Sequence, residues 1–217
     1  MVYSERIVLT KYILADRRTD NNDLKKDKWL VALLFITAIF LPLQAIGMDS
    51  LTDEYVTRSG KSLFITESHP VGQSLSDISI KSSGFEHNIS ETFSDSDPIK
   101  SVYVTDLDNN GFDEFYLITV SSGSGSYGNV IGFASNNDKS LSMIHFPNIS
   151  EGDERFTEYM GHDNFKIANN RLIRSFPIYL PTDKNAIPTG GTRHFFYELF
   201  PGEAAWQLKI TDVADSK

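Results

Sequence analysis

Between two runs of strand-forming residues stands Ser121-Ser122-Gly123-Ser124-Gly125-Ser126-Tyr127-Gly128. Glycines at 123, 125 and 128 free the backbone, so hydroxyls and main-chain N–H groups can be presented together. A plain hairpin connection needs no large side chain. Tyr127, set amid small residues, instead suits a tip that enters a polar cleft, since Tyr supplies contact area at low entropic cost.

A second stretch, Asp106-Leu107-Asp108-Asn109-Asn110-Gly111-Phe112-Asp113-Glu114, begins like a calcium loop, with oxygen ligands at alternate positions and Gly sixth. The twelfth position is Leu117 rather than a bidentate Glu, and the flanks read as strands, not helices. The expectation is therefore an acidic turn without metal, whose chelation leaves function intact. Asp113 and Glu114 keep calcium open, since they could complete a shell.

His162 and His194 are the remaining candidates. A hydrolase would pair one of them with an Asp and a loop serine. No G-x-S-x-G elbow in strand–turn–helix context and no His/Cys zinc spacing is present. The residues thus predict no catalytic group, no metal and no cofactor.

The elements that must position these residues read as strands. SVYVTDL, EFYLITVSS, NVIGFAS, SLSMIHF, FKIA, RLIRSFPIYL, RHFFYELF and AWQLKI are rich in β-branched and aromatic residues, and most are bounded by Gly, Asn, Asp or Pro. Alternation in Arg193–Leu199 and Ala205–Ile210 predicts strands with one wet face. Past residue 50 no apolar stripe of helical period and length occurs. The fold class expected is all-β, an antiparallel β-sandwich or barrel-like single domain over residues 48–217, after an N-terminal signal segment. Residues 48–98 are polar and Ser/Asp-rich with short apolar pieces, and carry no motif.

Residues 1–47 form a separate segment. Lys25, Lys26 and Lys28 precede the uncharged run Trp29–Leu41, followed by Pro42 and Ala45-Ile46-Gly47. Basic region, short apolar run and small residues two apart describe a secretory signal peptide cut after Gly47. The run rises only about 20 Å, short of the roughly 30 Å hydrocarbon core. An uncleaved anchor is the competing reading, and a start near Leu24 would account for the polar residues before it. N-terminal sequencing of periplasmic protein should find Met48 first; recovery solely from membranes with Lys28 still attached would rule cleavage out.

Charge narrows the partners. The chain has a formal net charge of −9. Residues 1–47 hold 7 of the 20 Lys/Arg and 5 of the 29 Asp/Glu, so the remainder has 13 basic and 24 acidic residues, net −11. That balance argues against nucleic acid and against an anionic membrane surface, and would steer a cationic protein towards the chain. With no Cys there is neither a disulfide nor a lipid-bearing Cys. After signal removal the expected product is soluble and periplasmic.

Taken in order, Asp106–Gly111, Ser122–Tyr127, Gly161-His162-Asp163, Arg174–Tyr179 and Pro188-Thr189-Gly190-Gly191-Thr192-Arg193 resemble the periplasmic inhibitors of invertebrate-type lysozyme. The similarity covers about residues 100–210. It implies an all-β, sandwich-like protein, with a homodimer among its assemblies, that blocks a host or predator lysozyme by inserting a loop into the active cleft. It further implies that Ser124 and Tyr127 engage the lysozyme site, within a binding loop of Ser122, Gly123, Ser124, Gly125 and Tyr127. Two other classes stay open on the residues alone: a calcium-dependent carbohydrate-binding or adhesion module built on the Asp106 turn, and a hydrolase using His162 or His194.

Overall fold

β-Branched and aromatic runs, interrupted every few residues by turn formers, leave no span for a helix. In the computed structural model, which describes residues 49–149, 152–184 and 187–217, the chain forms strands joined by turns, with one three-residue 3-10 segment at Glu154–Phe156 among the described residues. The segment expected to be the signal peptide lies outside the described residues, and the described residues fall within one compact unit. Among the described residues no helix is long and apolar enough to cross a membrane.

Strands β1 (Asp49–Val56), β2 (Ser62–His69), β3 (Ser76–Ser83) and β4 (Ser90–Ser96) make a four-stranded antiparallel sheet in chain order. The polar stretch that carried no motif is thus a sheet of its own. Strands β5 (Ile99–Thr105), β6 (Glu114–Val120), β7 (Gly128–Ser135), β8 (Leu141–His145), β9 (Asn164–Ala168), β10 (Arg171–Pro177), β11 (Thr192–Pro201) and β12 (Trp206–Ser216) form a second sheet of order β5-β6-β7-β8-β12-β11-β10-β9. It is nearly closed and barrel-like. The Tyr103 hydroxyl on edge strand β5 donates to the Phe165 carbonyl on edge strand β9 at 3.0 Å. Among the described strands all pairings are antiparallel except β8–β12, where Trp206 pairs with Ile144 and Gln207 with His145 in parallel register, and an isolated parallel bridge joins His87 to Ser140.

Two cores follow from the two-residue period of β6 and β7. Tyr116 and Ile118 point into the barrel with Val130, Phe165, Leu172, Phe195 and Leu208. Phe115 and Leu117 point the other way, with Ile131 and Phe133, against Leu63, Ile65, Ile78 and Ile80 of β2 and β3. That is why β6 is buried residue after residue rather than alternately. Burying each such side chain contributes about 1.5–3 kcal/mol. The four from β2 and β3 together match the order of a domain's whole net stability, about 5–15 kcal/mol. The small sheet is therefore part of the same domain.

Candidate functional site

The connection between β6 and β7 is the Ser121–Gly128 stretch. Its base is closed twice: Ser121 N donates to the Tyr127 carbonyl at 2.8 Å, and Tyr127 N to Ser121 Oγ at 2.8 Å. At the tip, Ser126 N donates to the Gly123 carbonyl at 3.1 Å, with Ser126 held at φ 44°. Ser122 Oγ reaches across to the Ser74 carbonyl, 3.2 Å away. Ser124 is exposed, and Tyr127 keeps 51% of its surface in solvent. The Tyr127 ring lies over Gly125, where an added Cβ would sit 2.4 Å from Cε2. Gly123 has open space around it. The five residues Ser122, Gly123, Ser124, Gly125 and Tyr127 thus share one loop, with Ser122, Gly123, Ser124 and Tyr127 exposed.

A second segment pins this loop from below. His162 N donates to the Gly125 carbonyl, and Asp163 N to that of Ser126 at 3.2 Å. Gly161, at φ 85°, lies so close that a Cβ there would stand 2.1 Å from the Gly125 oxygen. Only glycine tolerates both the left-handed backbone and the approach. Asp163 Oδ2 also accepts from Gly128 N at 2.7 Å, so one residue holds the β7 side of the loop at both Ser126 and Gly128.

Asp163 is itself fixed by Arg174 on β10. The guanidinium makes a two-pronged pair, Nε to Oδ1 and Nη2 to Oδ2, each at 2.7 Å, with both side chains buried. Such fork geometry fixes direction as well as charge. The Tyr159 hydroxyl donates to Asp163 Oδ2 at 2.6 Å and accepts from Arg174 Nη2 at 2.7 Å. Burial alone would weaken the hold of Arg174 on its proton, but the Asp163 hydrogen bonds and charge outweigh it and push the pKa above its ordinary value. The guanidinium therefore stays charged, flanked by the rings of Phe156, Tyr159 and Phe165 at 5.1–5.8 Å. Tyr159 meets Tyr127 edge to face, ring centres 5.8 Å apart. Beside them opens a groove of about 530 Å³ lined by Tyr127, Gly128, Phe146, Asn148, Tyr159 and Arg174.

At the other end of β6 sits the acidic turn. Asp113 accepts from Arg58 N at 2.6 Å and Arg58 Nε at 2.8 Å, while Asp106 takes Arg58 Nη2 at 3.0 Å. Arg58 belongs to the β1–β2 connection, so the turn ties the two sheets together. Asp106 and Asp108 cap the backbone of Asn110, and Asp106 that of Gly111. Asp113, a ligand candidate by sequence, is thereby held by Arg58. Glu114 turns inward and is fully buried. Burial first, then the charges of Asp108 and Asp106, push its carboxyl up to about 8.

The histidines lie elsewhere. His162 contributes its backbone to the loop, while its ring stacks on Tyr179 with centres 6.1 Å apart. His194 Nδ1 hydrogen-bonds Ser175 Oγ at 2.7 Å, and Nε2 hydrogen-bonds Ser216 Oγ at 2.9 Å. A hydroxyl occupies the place where a triad needs an acid. Sequence reasoning weighed His162 for chemistry and passed over its neighbour Asp163, which does the positioning. The signal available was the Gly161-His162-Asp163 motif itself. Against known proteins, the chain matches no family model and no curated sequence.

Proposed function

We propose that the chain is a periplasmic protein inhibitor of lysozyme, most of all the invertebrate type, that inserts the Ser121–Gly128 loop into the enzyme's active cleft. The observation that carries this reading is the exposure of Ser124 and Tyr127 on a loop whose backbone is fastened to a buried ion pair. A loop already ordered before binding gives up little entropy on association. Lysozyme cleaves with two carboxyl groups set about 5 Å apart in a sugar-binding cleft. The Ser124 and Tyr127 hydroxyls can donate to them, and bonds to charged acceptors are the stronger kind. The acidic chain, net −9, favours encounter with a basic enzyme.

The test is residual activity of invertebrate-, chicken- and goose-type lysozymes with the purified protein added. Loss of the invertebrate-type activity at the lowest concentration is expected. If none of the three is inhibited, the reading fails.

Gly125 and Gly123 should then behave differently. Gly125→Ala forces the Tyr127 ring aside, and inhibition should weaken about tenfold, near 1.4 kcal/mol. Gly123→Ala meets nothing within the chain and leaves the Tyr127 ring where it is, so it should weaken inhibition less than Gly125→Ala. Equal inhibition constants for the two variants would show that the ring is not pre-set by the glycine beneath it.

A further inference from the structure

We propose that the β5–β6 turn holds a divalent cation, calcium by its donor set, between the carboxylates of Asp106, Asp108 and Glu114. One carboxylate oxygen from each lies within 4.8 Å of the others, the span a single ion can bridge. Glu114 opens β6 and shares the inward face with Tyr116 and Ile118, so the two-residue period drives its carboxylate under the turn. There Oε2 accepts from Leu107 N at 2.7 Å and from the Tyr116 hydroxyl at 3.3 Å. Oε1 is buried and has no hydrogen-bond partner among the described residues. A buried carboxylate oxygen without a partner is rare and costly, and a bound cation would satisfy it.

Charge points the same way. Arg58, the cation at this turn, gives its bonds to Asp113 and Asp106. No Lys, Arg or His among the described residues pairs with Asp108 or Glu114. Asp108 accepts from the backbone and side-chain N–H groups of Asn110, at 3.1 and 3.0 Å. Four acidic side chains, Asp106, Asp108, Asp113 and Glu114, therefore crowd one exposed guanidinium that bonds only two of them, and a bound cation would supply the missing charge. The donors are oxygens only, with neither His nor Cys, which selects a hard ion over zinc or copper. A short turn with unequal donors suits calcium's flexible shell better than magnesium's strict octahedron.

The ion would act on stability, not on the inhibitory surface. Glu114 and Val120 cap opposite ends of β6, so the turn and the loop lie about 20 Å apart at roughly 3.3 Å per residue. The site does not depend on the inhibitor reading, and each can fail alone. Its ion would lock the turn that Arg58 joins to the four-stranded sheet.

The test is calcium titrated calorimetrically into the full chain after treatment with chelator, together with thermal unfolding. One ion per chain is expected. At an affinity of about 10⁻⁴–10⁻³ M, usual for extracellular modules, about 5 mM calcium should raise the midpoint by roughly 3–8 °C. Sodium chloride of equal ionic strength should not. Glu114→Gln mimics a protonated Glu114, so it should fold, yet lose the calcium response. Asp108→Asn, at the outer rim, should lose it as well. No binding heat and no shift in the parent would overturn the proposal. So would a Glu114→Gln chain that responds to calcium as the parent does, since Glu114 would then be simply a buried acid carrying its proton.

Discussion

Tyr127→Ala is expected to raise the inhibition constant about thirtyfold or more, the effect of losing roughly 2 kcal/mol at the centre of an interface. Binding energy concentrates in a few residues, and a half-exposed aromatic at the tip of a fastened loop has the properties of such a centre. Ser124→Ala should cost about tenfold, because it removes one hydroxyl bonded to a charged group, worth near 1.5 kcal/mol at the low end. The thermal midpoint should hardly move for Ser124→Ala and should fall by only about 1–6 °C for Tyr127→Ala. Ser124 is exposed, and Tyr127 gives up one edge contact with Tyr159, worth about 0.5–1.5 kcal/mol. His162→Ala should inhibit nearly as well as the parent, because the loop is held by the His162 backbone N–H and not by its ring. Inhibition constants and midpoints measured on the same three variants decide the matter. Parent-like inhibition by both Tyr127→Ala and Ser124→Ala would reduce the loop to a connection.

How much of this could be read beforehand differs from element to element. Strands β10 and β11 were legible because their side chains alternate between core and solvent, or run apolar between clear turn residues. Strands β1 and β4 were not, since DSLTDEYV and SETFSDS hold few residues with strand preference and lie where the small sheet meets solvent. Their pairing comes from β2 and β3, whose buried faces dock on β6 and β7. The parallel β8–β12 contact joins residues about sixty apart, and no local pattern announces it. The loop was visible as composition, a lone Tyr among Ser and Gly. Its fastening was not, because Asp163 reaches Gly128 across 35 residues and Arg174 across 11. At the acidic turn the spacing revealed the ligand types but not their fates. Which of Asp113 and Glu114 faces inward is a matter of strand parity, and that depends on where β6 begins.

Asp163→Ala is expected to produce the largest loss of stability. It strands the Arg174 guanidinium in a site where its side chain is 2% exposed, and breaking one partner out of a buried pair costs about 3–5 kcal/mol. For a domain of this size, each kcal/mol moves the midpoint by about 2–4 °C, so a fall of roughly 6–20 °C follows. The Gly128 N–H loses its acceptor as well, and the β7 side of the loop loses its side-chain anchor. The double change Asp163→Ala with Arg174→Met separates the two consequences. Replacing a whole buried pair by apolar side chains is often neutral for stability, so much of the midpoint should return. Inhibition should not return, because no carboxylate then holds Gly128 and Tyr159 in place beneath Tyr127. Thermal unfolding and inhibition constants for the parent, the single and the double variant give the cycle. If the double variant recovered both, the pair would serve the core alone and the loop would keep its shape without it. If Asp163→Ala melted within about 1 °C of the parent, the pair would not be the buried, uncompensated charge system that its geometry describes.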